Sequence, residues 1–155
     1  MKTKLHVFVM FWIGLMSFSQ NTYVPDNNFE QALIDFGYDT SPLNDYVPTA
    51  NISEITDLNL AFRFIDDLTG IEDFTALSTL DCSMNNLSSL NISNNYDLTE
   101  LYCWSNPLGS LDVSNNYSLT TLNCSSNQLT NLDLSNNSFE LSLRILGNEI
   151  VAIKI

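Results

Sequence analysis

One periodicity constrains this chain more than any other feature. Leu77 to Asp97, Leu98 to Ser118 and Leu119 to Phe139 are consecutive 21-residue blocks, LSTLDCSMNNLSSLNISNNYD, LTELYCWSNPLGSLDVSNNYS and LTTLNCSSNQLTNLDLSNNSF. Glu140 to Ile155 opens a further block and runs 16 residues into it, and Ile55 to Ala76 fits as a diverged copy of 22 residues. Fixed self-similarity at this spacing is the mark of a solenoid. No single repeat can bury its own apolar face, so each must stack on its neighbours.

The columns of the repeat divide the labour. Leu80, Leu101, Leu122 and Leu143 form one apolar column. Cys82, Cys103, Cys124 and Ile145 form the next, with Leu60 at the same place in the diverged copy. Further apolar columns run Leu87/Leu108/Leu129/Ile150, Leu90/Leu111/Leu132/Ile153 and Ile92/Val113/Leu134/Ile155. One column is polar throughout: Asn85, Asn106, Asn127 and Asn148. Because the cysteine column accepts leucine and isoleucine at its ends, it reads as a core position, where a free thiol acts as a small hydrophobe. A disulfide and a metal site are the alternatives. Stacked coils bring equivalent residues to about 4.8 Å, but with parallel Cβ vectors, and a row along one wall does not close a tetrahedron around zinc.

With these columns in place the chain resembles the leucine-rich repeat family. The pattern L-x-x-L-x-[LC]-x-x-N-x-L is carried by Leu77/Leu80/Cys82/Asn85/Leu87, Leu98/Leu101/Cys103/Asn106/Leu108 and Leu119/Leu122/Cys124/Asn127/Leu129. The second half, LDVSNN at Leu111–Asn116 and LDLSNN at Leu132–Asn137, is similar to the repeats of secreted bacterial members. Arg63 replaces the asparagine in the diverged copy, and Glu140 replaces a leucine in the last. The resemblance implies a right-handed leucine-rich repeat solenoid, with short parallel strands on the concave face and mostly turns on the convex face. It implies inward leucines and cysteines, and an asparagine column bonded to backbone. The SNN turns at Ser93, Ser114 and Ser135 suit left-handed backbone angles, and DVS alternates like a second short strand, Val113 inward.

The segments before the repeats have different roles. Two lysines, the apolar run Val7–Met16 and the small residues Ser17 and Ser19 form a secretory leader over residues 1–19, cut near Ser19/Gln20. The protein is then secreted or held at the cell surface. Residues 20–155 read as one domain: an N-terminal α-helical cap over 20–54, then about five coils over 55–155, the last incomplete. Within the cap, Asp26–Gly37 is predicted as a helix, with Asn27 and Glu30 spaced as a capping box and Phe29, Ala32, Leu33 and Phe36 on one face. Past the leader no stretch is apolar enough to span a membrane. The last coil exposes isoleucines at an open end, a surface for end-to-end self-association.

Charge and composition exclude several functions. The only histidine, His6, lies in the leader, so the mature chain lacks an imidazole for a serine or cysteine nucleophile or for a histidine-ligated zinc. Arg63, Arg144 and Lys154 then face 18 acidic residues, a balance that repels nucleic acid. The outward strand positions include Asp81, Glu100, Tyr102, Trp104, Thr121, Asn123 and Arg144. Among them Tyr102 and Trp104 are large rings on a face that is elsewhere mostly small and polar, and rings with polar tips are favoured binding anchors. The alternative has Trp104 packed on the loop at Pro107. Asp81 and Glu100 read as diagonal neighbours at a spacing that overlaps the carboxylate pair of an inverting glycosidase, without a cleft around them. Asn91, Asp112 and Asp133 stack as an oxygen-rich row of the kind that holds calcium. The reading that follows is a secreted, non-catalytic module with no cofactor, binding a protein partner through its concave face. The alternative is a structural or adhesive surface module for glycan or matrix, with calcium.

Overall fold

The computed structural model describes residues 20–137 and 141–155. The expected leader, residues 1–19, lies outside the described residues. Five three-residue strands, β3 (Asp57–Asn59), β4 (Thr79–Asp81), β5 (Glu100–Tyr102), β6 (Thr121–Asn123) and β8 (Ser142–Arg144), form a parallel sheet in the order β3-β4-β5-β6-β8. Each coil contributes one strand. The register is unbroken, with Leu58, Leu80, Leu101, Leu122 and Leu143 opposite one another. The first four leucines are buried, and each such side chain stabilises the stack by about 2 kcal/mol. Beyond each strand the ladder continues. The N–H groups of Cys82, Cys103 and Cys124 donate to the carbonyls of Tyr102, Asn123 and Arg144 on the next coil.

A second parallel pair, β7 (Asn131–Asp133) with β9 (Ala152–Lys154), joins the last two coils at Leu132 and Ile153. On the preceding coil, Asp112–Ser114 is not the strand predicted there. The Asp112 carboxylate accepts the Ser114 N–H at 2.9 Å, the same local bond that Asp133 makes to Ser135 at the end of β7. Val113 still points inward and is fully buried. The SNN residues also differ from expectation. The left-handed position that recurs in every coil is held by Phe62, Met84, Ser105, Ser126 and Gly147, immediately before the asparagine-column position. Asn95 and Asn116 instead sit in consecutive tight turns, where Asn95 N–H donates to Ile92 and Leu98 N–H to Asn95.

Ahead of the coils, β1 (Asn21–Tyr23) pairs antiparallel with β2 (Tyr46–Pro48), and α1 spans Asn27–Asp35. Asp26 caps the helix, its Oδ1 accepting from the N–H groups of Asn28 and Phe29. The capping box predicted from Asn27 and Glu30 does not form. Glu30 is fully buried, and its carboxylate accepts from the backbone of Asn44 and Asp45 at 2.7 and 3.0 Å, so it ties down the following loop. Phe29, Ala32 and Leu33 are buried, and the Phe29 ring stacks on Phe74 at 6.2 Å. Phe36, predicted on the same face, is partly in water beneath the guanidinium of Arg63.

The core runs as a column inside the coils. Leu87, Leu108, Leu129, Ile92 and Val113 are all buried to within 1%. At the last coil the burial fades, with Leu143, Ile145 and Ile150 only partly covered and Leu146, Val151 and Ile155 in water. Among the described residues no helix is long and apolar enough to cross a membrane.

Candidate functional site

The parallel register sorts the outward side chains into two rows. Asn59, Asp81, Tyr102, Asn123 and Arg144 make one, and Asp57, Thr79, Glu100, Thr121 and Ser142 the other. All seven outward residues singled out in the sequence therefore belong to one face, Trp104 two positions beyond Tyr102. Asp81 stands beside Tyr102 and Glu100 beside Thr79. Both carboxylates are already engaged. Asp81 Oδ1 accepts from the Ser83 N–H at 3.0 Å and from the Ser83 hydroxyl. Glu100 accepts the Tyr102 phenol proton at 2.7 Å, a bond that pushes the phenol's pKa above its usual range.

Asn59 and Asn123 repeat the local bond of Asp81, each side chain accepting the N–H two residues on. A short polar side chain at this place thus closes the strand end by itself. Tyr102 has no such bond to give, and its coil carries Trp104 where the other coils have alanine, serine or, in the last, Leu146. The half-buried Trp104 borders an open depression of about 600 Å³, together with Asn123, Ser125, Arg144, Ile145 and Leu146. An aromatic wall, an apolar floor and a cation thus meet at the C-terminal half of the concave face.

Behind this face the polar column is a hydrogen-bond ladder. Asn106 donates from Nδ2 to the carbonyls of Cys82 and Cys103 at 3.0 and 3.1 Å and accepts the Leu87 N–H at 3.0 Å. Asn85, Asn127 and Asn148 repeat the arrangement. Each amide fastens its own coil to the one before. The sequence reading missed a second ladder on the convex side. Asn95, Asn116 and Asn137 donate to backbone carbonyls of the preceding coil, and Asn115 and Asn136 reach the carbonyls of Ser93 and Ser114. The invariance of NN through three blocks was the available signal.

Cys82, Cys103 and Cys124 are free and fully buried. Burial pushes the Cys82 and Cys103 thiols far above their usual range and Cys124 up to about 11. A thiol kept protonated is neither nucleophile nor metal ligand. Among the described residues no three acidic, thiol or imidazole side chains converge as metal ligands. Asp133, in the oxygen-rich row, is bound by Ser135 and by Lys154 at 2.9 Å.

Two exposed residues escaped the sequence reading. Phe62 and Phe64 lie in the diverged copy, with their rings 5.6 Å apart and mostly in water. The signal was AFRF, aromatic where the later coils have smaller or polar side chains.

No family model matches the chain, and no curated protein does. Solved structures do. The functional domain of InlJ from Listeria monocytogenes, which includes a cysteine ladder, is similar at 36% identity and a TM-score of 0.74, over 84% of this chain and 29% of that one. An internalin, InlF, from Listeria monocytogenes is similar in fold at 21% identity and a TM-score of 0.51, over 76% of this chain and 38% of that one. The chain thus spans well under half the length of either structure.

Proposed function

We propose, from the premise that this chain is a leucine-rich repeat protein, that it is a secreted binding module whose concave face takes a protein partner. The likeness to the InlJ domain and to an internalin supports a protein-binding module. One observation carries the choice of face. Tyr102 and Trp104 follow strand ends that close on themselves at Asn59 and Asp81 and precede another at Asn123, and Trp104 borders the depression shared with Asn123 and Arg144. A ring half-held by its own fold loses little freedom when a partner covers it, which makes it a favourable anchor. Thr121 and Asp81 flank the site, and Glu100 holds the phenol of Tyr102 in place. Export rests on the leader pattern of residues 1–19, and residues 20–54 are read as part of the same domain, covering the first coil.

The test is a partner capture with surface proteins of the source organism's surroundings, followed by titration of the purified partner. Tyr102→Ala and Trp104→Ala are each expected to weaken that binding at least tenfold, the scale of an anchor residue. Unchanged affinity in both variants moves the interface off this face.

A further inference from the structure

Phe62 and Phe64 are 61% and 64% exposed, and both have left-handed backbone, with φ of 61° and 60°. A bulky side chain takes this conformation at an energetic cost, and it persists where the surroundings impose it. Here they do. Asn85 Oδ1 accepts the N–H groups of Arg63 and Ile65, both at 3.1 Å. Asn28 donates to the Phe64 carbonyl at 2.8 Å, and Asp26 Oδ2 accepts from Asp66 and Asp67. The intervening Arg63 is fixed by Asp35 at 2.7 Å and lies over the Phe36 ring. A clamped loop therefore holds two rings out in water. Core packing does not require this, because three of the four later coils put serine or glycine at the position of Phe62.

The surroundings narrow the occupant. Met84, the next residue in this column, is 41% exposed and Phe36 37%, so the apolar area continues on both sides. Asp35, Asp66 and Asp67 rim it. Of the three cationic side chains among the described residues, Arg63 is the one at this edge, and it is already paired. A net charge of −13 repels both a second copy of the chain and an anionic membrane.

We propose that the Phe62–Phe64 edge is a second binding surface, separate from the concave face, that docks a protein segment carrying apolar side chains between lysines or arginines. The rings supply rigid contact area and the acidic rim pairs with the flanking cations. The probe is a capped peptide alternating lysine with phenylalanine and leucine, against its counterpart with glutamate for lysine. The lysine peptide is expected to bind the protein, and to bind Phe62→Asn/Phe64→Asn at least tenfold more weakly. Asparagine tolerates left-handed angles, so that variant is expected to melt no lower than the parent. Tyr102→Ala/Trp104→Ala is expected to bind the peptide unchanged, so this surface and the concave face are tested apart. Equal binding of the glutamate peptide, full affinity in the asparagine variant, or loss in the concave-face variant overturns the proposal. Self-association or uptake by phosphatidylcholine vesicles that the asparagine variant abolishes also overturns it, by assigning the rings another occupant.

Discussion

The side-chain amide of Asn106 donates to the backbone carbonyl of Cys82, 24 residues earlier, at 3.0 Å. One side chain thus joins two coils at a depth that solvent does not reach. Asn106→Ala removes this bond and three others and strands the buried N–H of Leu87, while the carbonyls of Cys82 and Cys103 keep the amides of Asn85 and Asn127. The expected cost is about 2–4 kcal/mol, since an unpaired buried polar group loses its solvation without return. Asn148→Ala, on the half-covered last coil, is expected to cost about 1 kcal/mol because water reaches the groups it leaves. Urea denaturation of the two variants gives the ranking, and equal costs would show that the ladder does not depend on burial.

The first coil shows why the ladder starts where it does. An asparagine amide in this column reaches back to a carbonyl of the previous coil, and the first coil has none before it. Arg63 takes the position instead and reaches the helix at Asp35. The departure that looked like decay of the repeat is therefore the point where the coils meet α1.

The thiols lead to a second prediction. Cys82, Cys103 and Cys124 are expected to resist a thiol reagent at neutral pH in the folded protein and to react fully in denaturant. The pH dependence follows from Cys124, raised from 9.0 to about 11. Below pH 9 the thiol is protonated in both states. Above it the unfolded chain ionises first, so stability falls as pH rises from 9 through 11. Cys124→Ala is expected to flatten that part of the curve, measured by denaturation at pH 8 to 11 with correction for the other thiols by the corresponding variants.

How much of this was legible follows from what the period encodes. A column repeated at 21 residues reports a demand made by every coil, so the buried leucines, the cysteine row and the polar column with Asn106 stood out in the sequence. Features made once left no column. Glu30 looked like a capping box because its spacing to Asn27 fitted, but its carboxylate serves Asn44 and Asp45, a tertiary contact that local spacing does not encode. The left-handed residues were misplaced because serine and methionine hold those angles here, where composition suggested the SNN turns. Tyr102 and Trp104 were legible as exceptions to a column, whereas Phe62 and Phe64 lay in a copy too diverged to supply the comparison.

Tyr102 offers a direct test of the concave-face geometry. Its phenol donates to Glu100, and loss of that proton would place two negative charges together, so its pKa lies above the ordinary 10.0. Glu100→Gln removes the charged acceptor and is expected to return the phenol toward 10. Ultraviolet titration, with Tyr102→Phe to assign the signal, reads the shift. A titration unaltered by Glu100→Gln would mean that the two side chains are apart in solution.

The junction between β1 and the first coil turns on one glycine. Gly70 has φ +103°, and a Cβ there would stand 2.7 Å from the Tyr23 carbonyl oxygen and 3.0 Å from a Val24 methyl. The carbonyl belongs to backbone, so it cannot swing aside as a flexible side chain would. Gly70→Ala therefore combines left-handed strain with a clash that pushes β1 off the coil, and is expected to cost about 3 kcal/mol or more. Gly37 also has a left-handed angle but opens on empty space, so Gly37→Ala isolates the strain at about 1 kcal/mol. Gly109 meets nothing and has no left-handed angle, so Gly109→Ala is expected to be neutral or slightly stabilising, by reducing the freedom of the unfolded chain. The order Gly70, Gly37, Gly109 in denaturant midpoint is the measurement. A Gly70 variant no worse than the Gly37 variant would show that β1 does not press on the first coil, and the packing of residues 20–54 against the repeats would have to be redrawn.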